Sequence, residues 1–372
     1  MKILHVIPGI SRGSGGPSRS AQGLVSGLNR AGVEAWLLSL TNDEDPWVEG
    51  IKNFVSEEPF ENIVALMRPD LVHLHCLWNW GIHRCAVICR KCGIKYVVSP
   101  RGMLDPWALS VKKWKKRVAR WLYQDRDLRG AAALHATAEL ESEHIRALGF
   151  TNSIIISPNG IDVGKCCQCG NIASTNVAND QLGVMEALFM GRLHPGKGLL
   201  TLAEAWGKLG VKSEGVGSDG VKGWKMVVVG PDSYGHKKDI VAKLEALGIR
   251  EQWEFVDMVD DRAKWTYYRN ADLLIHPSVS ENFGITIAEG LSAGLPVICT
   301  KGTPWKDLAD YRCGWWIDIG VEPLVKALEE AMRLSDEARQ EMGARGRKLV
   351  EEKYTVDAAV KAMVKGYEEI LK

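Results

Sequence analysis

Short apolar segments, rich in branched and aromatic residues, alternate with longer amphipathic segments along the chain. The apolar segments carry hydrophobic residues on both faces, which is typical of strands in a parallel sheet that helices cover on both sides. We predict strands at 2–7, 33–39, 71–75, 94–99, 131–136, 153–157, 186–191, 225–229, 252–256, 271–276, 295–299 and 314–318. Helical spacing is clearest at 17–31, 198–209, 237–247 and 284–293, and the pattern after residue 320 is helical. Strand alternating with helix predicts right-handed βαβ units and doubly wound α/β sheets.

A polar stretch rich in Gly and Asn, residues 162–183, interrupts this alternation. We interpret it as a linker or surface excursion between two Rossmann-like domains, 1–165 and 184–354. The last segment, 355–372, is expected to pack back on the first domain. A second polar insert occupies 210–223. Ligands of such sheets bind at the carboxyl ends of the strands, so we expect the site in a crevice that the two domains face.

Composition and charge describe an ordinary globular protein. The 372 residues exceed what one core usually serves, and they are 46% hydrophobic and 25% charged. A net charge of +1 gives no overall attraction to nucleic acid or to an acidic membrane. The N-terminal MKILHVIPGI is too short for a signal peptide, and no apolar run approaches the roughly 20 residues that span a bilayer. We expect a cytoplasmic protein with no nucleic-acid partner, one that can contact the inner face of the membrane.

The nine cysteines suggest neither a disulfide framework nor a metal centre. Cys76, Cys299 and Cys313 lie in or beside predicted strands and are interpreted as small apolar fillers. Cys85, Cys89 and Cys92 fall on one predicted helix at helical spacing. The CCQC cluster at 166–169 could bind a soft metal, but no second ligand pair stands at zinc-finger spacing. We therefore expect reduced thiols and no metal.

A glycine-rich loop, residues 8–20, directly follows the first predicted strand. Gly13, Gly15 and Gly16 would let the backbone approach a ligand, and the helix beginning near Pro17 would offer free amides to an anion. Ser18 stands where a dinucleotide fingerprint needs its third glycine. A tight strand-to-helix turn is the alternative interpretation.

Two cations follow the first strand of the second domain, in MGRLHPGKG at 190–198. A turn through Pro195 and Gly196 would fold Arg192 and Lys197 onto one site. A bidentate guanidinium and a point-charge ammonium suit a diphosphate. A solvated basic turn is the alternative.

Two carboxylates lie in HPSVSENFGITIAEG at 276–290. Glu281 falls in the loop before a predicted helix, and Glu289 lies inside that helix. The backbone amides of 282–284 would point toward whatever Glu281 approaches. One carboxylate could bind sugar hydroxyls and the other ribose hydroxyls, although Glu281 could simply cap the helix.

In combination these motifs resemble those of the retaining glycosyltransferases of family 4. The residues that carry the resemblance are S-E-N-F-G-x-x-x-x-E-G and, about ninety residues upstream, G-R-L-x-x-x-K-G. It extends from the glycine loop through SPNGID at 157–162 to the terminal helices. The family has the GT-B fold of two Rossmann-like domains, and the resemblance implies that fold here.

The resemblance also implies an activity: transfer of a sugar from a nucleotide-sugar donor to a glycan or lipid-linked acceptor, as in cell-envelope polysaccharide synthesis. Gly15 and Gly16 would lie near the donor phosphate and the acceptor. Arg192 and Lys197 would hold the diphosphate and stabilise it as leaving group. UDP, GDP and ADP sugars are all compatible with these residues.

Further roles follow from the same resemblance. Glu281, with the amides of Asn282, Phe283 and Gly284, would bind the transferred sugar, and Glu289 would bind the ribose. Family enzymes retain anomeric configuration by front-face attack, in which the leaving phosphate helps to take the acceptor proton. The protein would then act by positioning and by electrostatic stabilisation.

We predict turnover without a divalent metal or any cofactor besides the donor substrate. D-x-D triplets occur at 43–45 and 125–127, but neither follows an apolar strand, as a magnesium-binding triplet would. Both are interpreted as surface charge.

The sequence departs from the family after the strand at 94–99. Many members have a histidine there that contacts the donor sugar, whereas this chain has Arg101 in SPRGML, as a bacterial subset does. Arginine cannot act as a base, but it can bind phosphate or a carboxylated sugar. His75, with His73 on the same strand face, is another candidate for the crevice or a core residue.

A basic amphipathic segment, VKKWKKRVARWLY at 111–123, is predicted to be helical. Its apolar face comprises Trp114, Val118, Trp121 and Leu122, and its lysines are Lys112, Lys113, Lys115 and Lys116. Such a helix can lie on an anionic membrane. The alternative is a helix packed on the core with a solvated lysine face.

Three other functions compete with sugar transfer. A nucleotide-sugar epimerase would act without an acceptor, and a sugar phosphorylase would need a pyridoxal lysine. A scaffold that only binds a nucleotide or a partner would not need Arg192, Lys197, Glu281 and Glu289. The imperfect glycine spacing disfavours a nicotinamide oxidoreductase.

Overall fold

Strand and helix alternate through the part of the chain that the computed structural model describes, residues 1–11, 16–41, 53–55, 58–164, 184–210, 223–232 and 234–372. The chain folds as two units, one of residues 1–160 with 354–372 and the other of residues 161–353. The predicted linker and the insert at 210–223 lie almost entirely outside the described residues, and the CCQC cluster lies wholly outside them.

The first unit contains a parallel sheet of seven strands in the order β3-β2-β1-β4-β5-β6-β7. The strands are β1 (Lys2–Ile7), β2 (Glu34–Ser39), β3 (Asn53–Val55), β4 (Leu71–His75), β5 (Tyr96–Ser99), β6 (Ala133–Ala136) and β7 (Ser153–Ile156). Strand β1 pairs with β2 on one side and with β4 on the other, in a register that sets His5 opposite His73. The carboxyl ends of β1 and β4 therefore form the switch point where sheets of this kind bind ligands.

Helices follow the strands of this unit. They are α1 (Gly16–Arg30), α2 (Phe60–Met67), α3 (Trp80–Cys92), α4 (Pro106–Ser110), α5 (Lys113–Ala119), α6 (Asp125–Arg129) and α7 (Glu139–Ala147), with a π-helical turn at Arg120–Gln124. Successive residues of β1, Ile3 and Leu4, are both fully buried, but they belong to different core clusters. Both faces of the sheet are thus covered, which explains the unbroken apolar pattern of its strands.

The second unit contains six parallel strands in the order β10-β9-β8-β11-β12-β13. The strands are β8 (Val184–Met190), β9 (Gly223–Val229), β10 (Trp253–Val256), β11 (Leu273–His276), β12 (Val297–Thr300) and β13 (Gly314–Ile317). Its helices are α8 (Leu199–Leu209), α9 (His236–Ala246), α10 (Lys264–Asn270), α11 (Ile285–Ser292), α12 (Asp307–Asp310), α13 (Val321–Met332) and α14 (Asp336–Lys353). Trp206, Trp224 and Trp253 are the largest side chains of its core cluster. The switch point lies between β8 and β11.

The last helix, α15 (Val356–Leu371), belongs to the first unit. Thr355 caps it by accepting a hydrogen bond from the amide of Ala358. Its apolar face enters the core of the first unit, where Met363 and Tyr367 are fully buried. The helix lies so close to α1 that a Cβ added to Gly27 would stand 2.6 Å from a methyl group of Val360.

The predicted fold class, α/β with two Rossmann-like parallel sheets, is confirmed. Each of the twelve predicted strands is present, with its ends shifted by at most two residues. The prediction missed β3, which has three residues and pairs only with β2 at the sheet edge. The helix predicted at 111–123 is present from residue 113 onward, as α5 and the π-helical turn, and it begins two residues late because Lys112 adopts a left-handed conformation (φ 52°) that separates α4 from α5.

The cysteines of the described residues are free thiols, and all of them except Cys92 are buried. Burial raises the pKa of Cys85 and Cys299 to about 12. These thiols therefore stay protonated and act as apolar filler. Among the described helices, none is both long and apolar enough to cross a bilayer.

Candidate functional site

The loop after β8 presents both predicted cations of the second unit. It runs through Gly191 and Arg192 into a 3₁₀ turn, Pro195–Lys197. His194 accepts a hydrogen bond from the Gly196 amide (3.0 Å), and the Gly196 carbonyl accepts one from the Val279 amide (2.9 Å). The loop after β8 is thereby tied to the loop after β11.

Gly198 ends this turn, and only glycine fits there. Its φ is +72°, and an added Cβ would stand 2.1 Å from the carbonyl oxygen of Pro277. The close approach of the two loops explains the glycine of the K-G pair. It also places Lys197 beside Glu281.

Lys197, Glu281 and His276 form one polar cluster. The Lys197 Nζ contacts Glu281 Oε2 directly, and His276 Nε2 lies 3.1 Å from the same oxygen. About a fifth of each of the Lys197 and Glu281 side chains is exposed. Burial acts to raise the pKa of Glu281, but Lys197 and His276 outweigh it and hold that pKa well below its usual range. The carboxylate is therefore ionised at neutral pH.

His276, the last residue of β11, orients Glu281. Burial lowers the pKa of His276 and keeps the ring neutral. Its Nε2 faces the carboxylate and therefore carries the proton, while Nδ1 lies 3.3 Å from the hydroxyl of Thr286 and accepts from it. Ser278 stands 3.1 Å from Nε2. Sequence analysis missed His276, although its place at the end of a strand, five residues before Glu281, is a usable signal.

Arg192 is exposed at the mouth of the same turn. Within the described residues it makes no ion pair. Burial, and then the positive charges of Lys197 and Arg192, lower the pKa of His194. The predicted pair of cations is therefore present on one turn, with the guanidinium open to solvent.

The loop from Glu281 to Gly284 leads into α11. Phe283 is buried against Trp305, which donates its indole N–H to the Phe283 carbonyl. The side chain and carbonyl of Phe283 thus hold the loop in place. Gly284, the residue before α11, has φ +81°. Asn282 lies between Glu281 and this anchor and is partly exposed.

Glu289 is held inside the second unit. It is 7% exposed; Lys264 of α10 contacts its Oε1, and the hydroxyl of Tyr268 donates to its Oε2 at 3.0 Å. Each carboxylate oxygen has two acceptor sites, so both retain acceptor capacity for a ligand. Sequence analysis missed Lys264 and Tyr268, since no pattern links α10 to a residue more than twenty positions later.

In the first unit, Gly15 lies outside the described residues, and Gly16 begins α1. Gly16 is exposed, and a Cβ added to it would meet nothing within 4 Å. The first residue of α1, Gly16, therefore has open space beside its backbone.

A chain of buried histidines crosses the carboxyl half of the first sheet. His5, His73, His75 and His135 come from β1, β4 and β6, and each is at most 2% exposed. The rings of His73 and His75 stack with centroids 4.4 Å apart, so the two share one strand face as predicted.

Arg101 sets the direction of the first set of hydrogen bonds. A guanidinium only donates, so His75 Nδ1, 3.1 Å from Arg101 Nη2, must accept. The proton of neutral His75 then lies on Nε2, which donates to His5 Nδ1 at 3.0 Å. The remaining His5 Nε2–H has no acceptor among the described residues.

The Ser157 carbonyl sets the direction of the second set. His135 Nε2 donates to it at 2.9 Å, so His135 Nδ1 accepts from the Ser99 hydroxyl at 2.5 Å. Ser99 in turn accepts from His73 Nε2 at 2.7 Å. His73 Nδ1 therefore accepts from the hydroxyl of Tyr367, at 2.5 Å.

This network keeps the histidines neutral. Burial first, and then Arg101 and the neighbouring rings, lowers the pKa of His5 and His135 to about 3 and those of His73 and His75 well below 6.5. His5, His73 and His75 have ring nitrogens within 4.8 Å of one another, a spacing that suits a metal. However, every ring nitrogen of His73 and His75 already has a partner, so a bound metal would have to break these hydrogen bonds.

The basic segment around α5 is exposed. The apolar side chains Trp114, Val118, Trp121 and Leu122 are between 47% and 83% exposed. The alternative of a helix packed on the core is therefore wrong. Lys116, however, does not fit the prediction of four lysines facing a membrane, because its Nζ donates to the Ala108 carbonyl and lies over the ring of Trp78. Lys112, Lys113 and Lys115 remain exposed.

Both aspartates of the D-x-D triplet at 125–127 form ion pairs. Asp125 pairs with Arg120 at 2.8 Å. Asp127 is 3% exposed and contacts His83 (2.7 Å) and Arg90 (2.9 Å), so the interpretation as surface charge is wrong for Asp127. The triplet at 43–45 lies outside the described residues.

Comparison with known proteins shows the same two-part division. Residues 15–160 match the family described as glycosyl transferase 4-like domain, and residues 179–349 match glycosyl transferases group 1. Together the two matches span most of the chain.

Individual relatives are distant. A D-inositol 3-phosphate glycosyltransferase of Corynebacterium glutamicum is 29% identical over 51% of this chain and 45% of its own length. A GDP-mannose:cellobiosyl-diphosphopolyprenol alpha-mannosyltransferase of Komagataeibacter xylinus is 24% identical over 83% of this chain and 77% of its own length. Against the Corynebacterium protein and a second one, from Salinispora tropica, the chain spans just under half of the relative.

Solved structures share the fold. Anabaena HepE, in complex with UDP and glucose, superposes with a TM-score of 0.76 at 15% identity and covers 99% of this chain and 100% of its own. Sucrose-phosphate synthase from Thermosynechococcus elongatus gives 0.74 at 16% identity over 100% of this chain and 99% of its own. The fold is GT-B.

Proposed function

Because this chain belongs to family 4 of the glycosyltransferases, we propose that it transfers a sugar from a nucleotide-sugar donor to a glycan or lipid-linked acceptor. The observation that carries this proposal is the cluster of Lys197, Glu281 and His276, with Arg192 exposed beside it. It lies at the carboxyl ends of β8 and β11, on either side of the switch point of the second sheet.

Arg192 and Lys197 are assigned to the diphosphate of the donor. Lys197 is bound to Glu281 in this structure, so a diphosphate would compete with Glu281 for the ammonium group. The carboxylate released in this way can accept hydrogen bonds from sugar hydroxyls, with the loop of Asn282, Phe283 and Gly284 beside it. Glu289 is assigned to the ribose, through the acceptor capacity that Lys264 and Tyr268 leave on its oxygens. Gly15 and Gly16 are assigned to the donor phosphate and the acceptor.

The chemistry is proposed to proceed with retention of anomeric configuration and without a metal ion or other cofactor. Bond cleavage leaves negative charge on the diphosphate, and a guanidinium and an ammonium on one turn can stabilise it. Asp125 and Asp127, in the described D-x-D triplet, are held in ion pairs with arginines of their own unit.

The exposed segment around α5 supports the proposal that the enzyme acts at the inner face of a membrane. Trp114 and Trp121 are 68% and 83% exposed, and Lys112, Lys113 and Lys115 are exposed beside them. Aromatic side chains insert at the headgroup level, and each nearby cation adds about 1 kcal/mol of attraction to anionic lipid. A lipid-linked acceptor would be presented at such a surface.

Nucleotide binding tests the donor assignment. Thermal unfolding is measured with UDP, GDP, ADP and their common sugars, each at about a hundred times its dissociation constant. One nucleotide series should stabilise the second unit by about 2.7 kcal/mol, which corresponds to roughly 5–10 °C in a unit of this size. Arg192→Ala and Lys197→Ala should remove most of that shift.

Lys208→Ala is the matched control, because Lys208 pairs with Glu322 on the exposed surface of the same unit. It should keep the full shift. The proposal fails if no nucleotide or nucleotide sugar stabilises the parent, or if the shift survives when Arg192 and Lys197 are both replaced.

A further inference from the structure

A buried guanidinium stands after β5 in the first unit without a carboxylate beside it. Arg101 is 7% exposed, and no described carboxylate lies within ion-pair distance of it. Glu141 acts on it only through space, because the Glu141 oxygens accept from the Gly102 amide and from Thr137. A buried charge without a hydrogen-bonded counter-charge is unfavourable, and proteins rarely keep one.

The groups that accept hydrogen bonds from Arg101 are neutral, and some N–H groups of its guanidinium remain without an acceptor. Nη1 donates to Ser20 Oγ (2.9 Å) and Asn159 Oδ1 (2.7 Å), and Nη2 donates to His75 Nδ1 (3.1 Å). A guanidinium has five N–H groups. Nε has no acceptor among the described residues, and it shares one edge of the guanidinium with Nη2. That edge is the one with which arginine binds carboxylate or phosphate in a bidentate manner.

A narrow cavity of the first unit reaches Arg101. Polar groups that line it include Ser20, Arg101, His135, Ser157 and Asn159. It has room for one water-sized group, so one oxygen atom of a carboxylate or phosphate can enter it. The histidine that faces it is neutral, which leaves Arg101 as the only charged group among the residues that line the cavity.

The backbone at this place is held in an unusual conformation. Arg101 has φ +57°, in the left-handed region that side chains with a Cβ rarely adopt. Cys76 and Trp78, which follow the adjacent strand β4, have φ +71° and +59°. Strained residues of this kind persist where the surrounding structure enforces them, and they cluster at ligand sites.

We propose that Arg101 recognises an anionic oxygen group, a carboxylate or a phosphate, on the sugar or acceptor that this enzyme uses. His75 acts as a positioning residue: it accepts from Nη2 and so orients the guanidinium. This specificity rests on the proposed sugar transfer, although anion binding itself does not require turnover. A guanidinium with a purely structural role would be expected to pair with a carboxylate of its own chain.

Calorimetric titration tests this with a chain in which Arg192 and Lys197 are both replaced by Ala, so that the second unit's cations cannot bind the probe. The probes are glucose, glucuronate and glucose 6-phosphate, which differ in one group, and inorganic phosphate. Glucuronate or glucose 6-phosphate should bind at least about tenfold tighter than glucose, and Arg101→Met should abolish that difference. Arg84→Met, an exposed arginine of the same unit, should preserve it.

A second variant keeps the test independent of how well Arg101→Met folds. Asn159→Asp places a carboxylate within hydrogen-bond distance of Arg101 Nη1. It should raise the unfolding temperature in anion-free buffer, because it supplies the missing counter-charge, and it should remove the stabilisation by phosphate.

The outcomes separate this inference from the proposed function. If the parent binds a nucleotide but charged and neutral probes bind alike, the role of Arg101 is refuted and sugar transfer stands. If no nucleotide binds while Arg101 still selects the charged probes, anion recognition stands and the donor assignment fails. Equal phosphate stabilisation in the parent, Arg101→Met and Asn159→Asp chains also refutes the inference.

Discussion

Four buried histidines in the first sheet have their tautomers fixed by their hydrogen-bond partners. Arg101 can only donate, and the Ser157 carbonyl can only accept, so the hydrogen bonds between them leave no freedom of tautomer. An additional proton on His75 would turn its Nδ1 into a donor that faces the Arg101 donor. Burial disfavours a charge on each of the four rings, so the network is most stable while they stay neutral.

Stability of the first unit should therefore fall in mild acid. The folded pKa values of His5, His73, His75 and His135 lie below 6.5, so the unfolded chain binds more protons than the folded chain below that pH. The contribution is fully present above pH 6.5 and is lost as the pH falls toward 3. The slope should approach about 5 kcal/mol per pH unit, from four groups at 1.36 kcal/mol each.

Urea unfolding at a series of pH values between 7 and 5 measures this slope. Hydrogen exchange in peptides that contain β1 and β4 assigns it to the first unit. His5→Asn retains an acceptor for His75 and should reduce the slope by about 1.4 kcal/mol per pH unit. A slope that is shallow in the parent and unchanged in His5→Asn would show that the histidines titrate in the folded state.

The sequence showed which residues carry the chemistry of the sites, but it did not show which residues they contact. Alternation along β4 placed His73 and His75 on one face. His5 and His135 come from other strands, and only the register of the sheet brings them into contact with that pair. Similarly, the motifs supplied Lys197 and Glu281, whereas Lys264 reaches Glu289 through the packing of α10, which no local pattern encodes.

The segment around α5 is helical, as its sequence pattern predicts, but it does not bury its apolar side. Lys112 adopts φ +52°, α5 begins after it, and a π-helical turn continues the helix at Arg120–Gln124. No residue of α5 is buried, so Trp114 and Val118 face solvent together with the lysines.

This segment should bind vesicles that contain anionic lipid. Replacing Lys112, Lys113 and Lys115 with Ser should lower the partition coefficient by roughly 100-fold at low salt, because each cation contributes about 1 kcal/mol. Trp121→Ser should weaken binding further, whereas Leu66→Ser, a change at an 88% exposed apolar residue elsewhere in the unit, should not. Co-sedimentation measures this. If the parent and the triple variant partition equally, the lysines only face solvent and do not bind lipid.

Across the entire chain, the parallel-sheet pattern was predictable because strands covered on both faces are apolar throughout. Ile3 and Leu4 of β1 illustrate it, since each is buried in a different core. The edge strand β3 was not predictable, because three residues that pair on one side carry no such pattern. The tie between the loops after β8 and β11 was also hidden, although Gly198, which permits it, is part of a recognised motif.

Release of nucleoside diphosphate from the nucleotide sugar that binds is the most direct test of sugar transfer. It is measured with water and with a membrane-lipid extract as acceptors, for the parent, Lys197→Ala and Lys208→Ala. Loss of one group that stabilises a developing charge lowers turnover by roughly 100- to 1,000-fold, so Lys197→Ala should fall by at least that lower figure while Lys208→Ala equals the parent. Parent-like turnover in Lys197→Ala, or no release by the parent with either acceptor, would contradict the assignment of this cluster to glycosyl transfer.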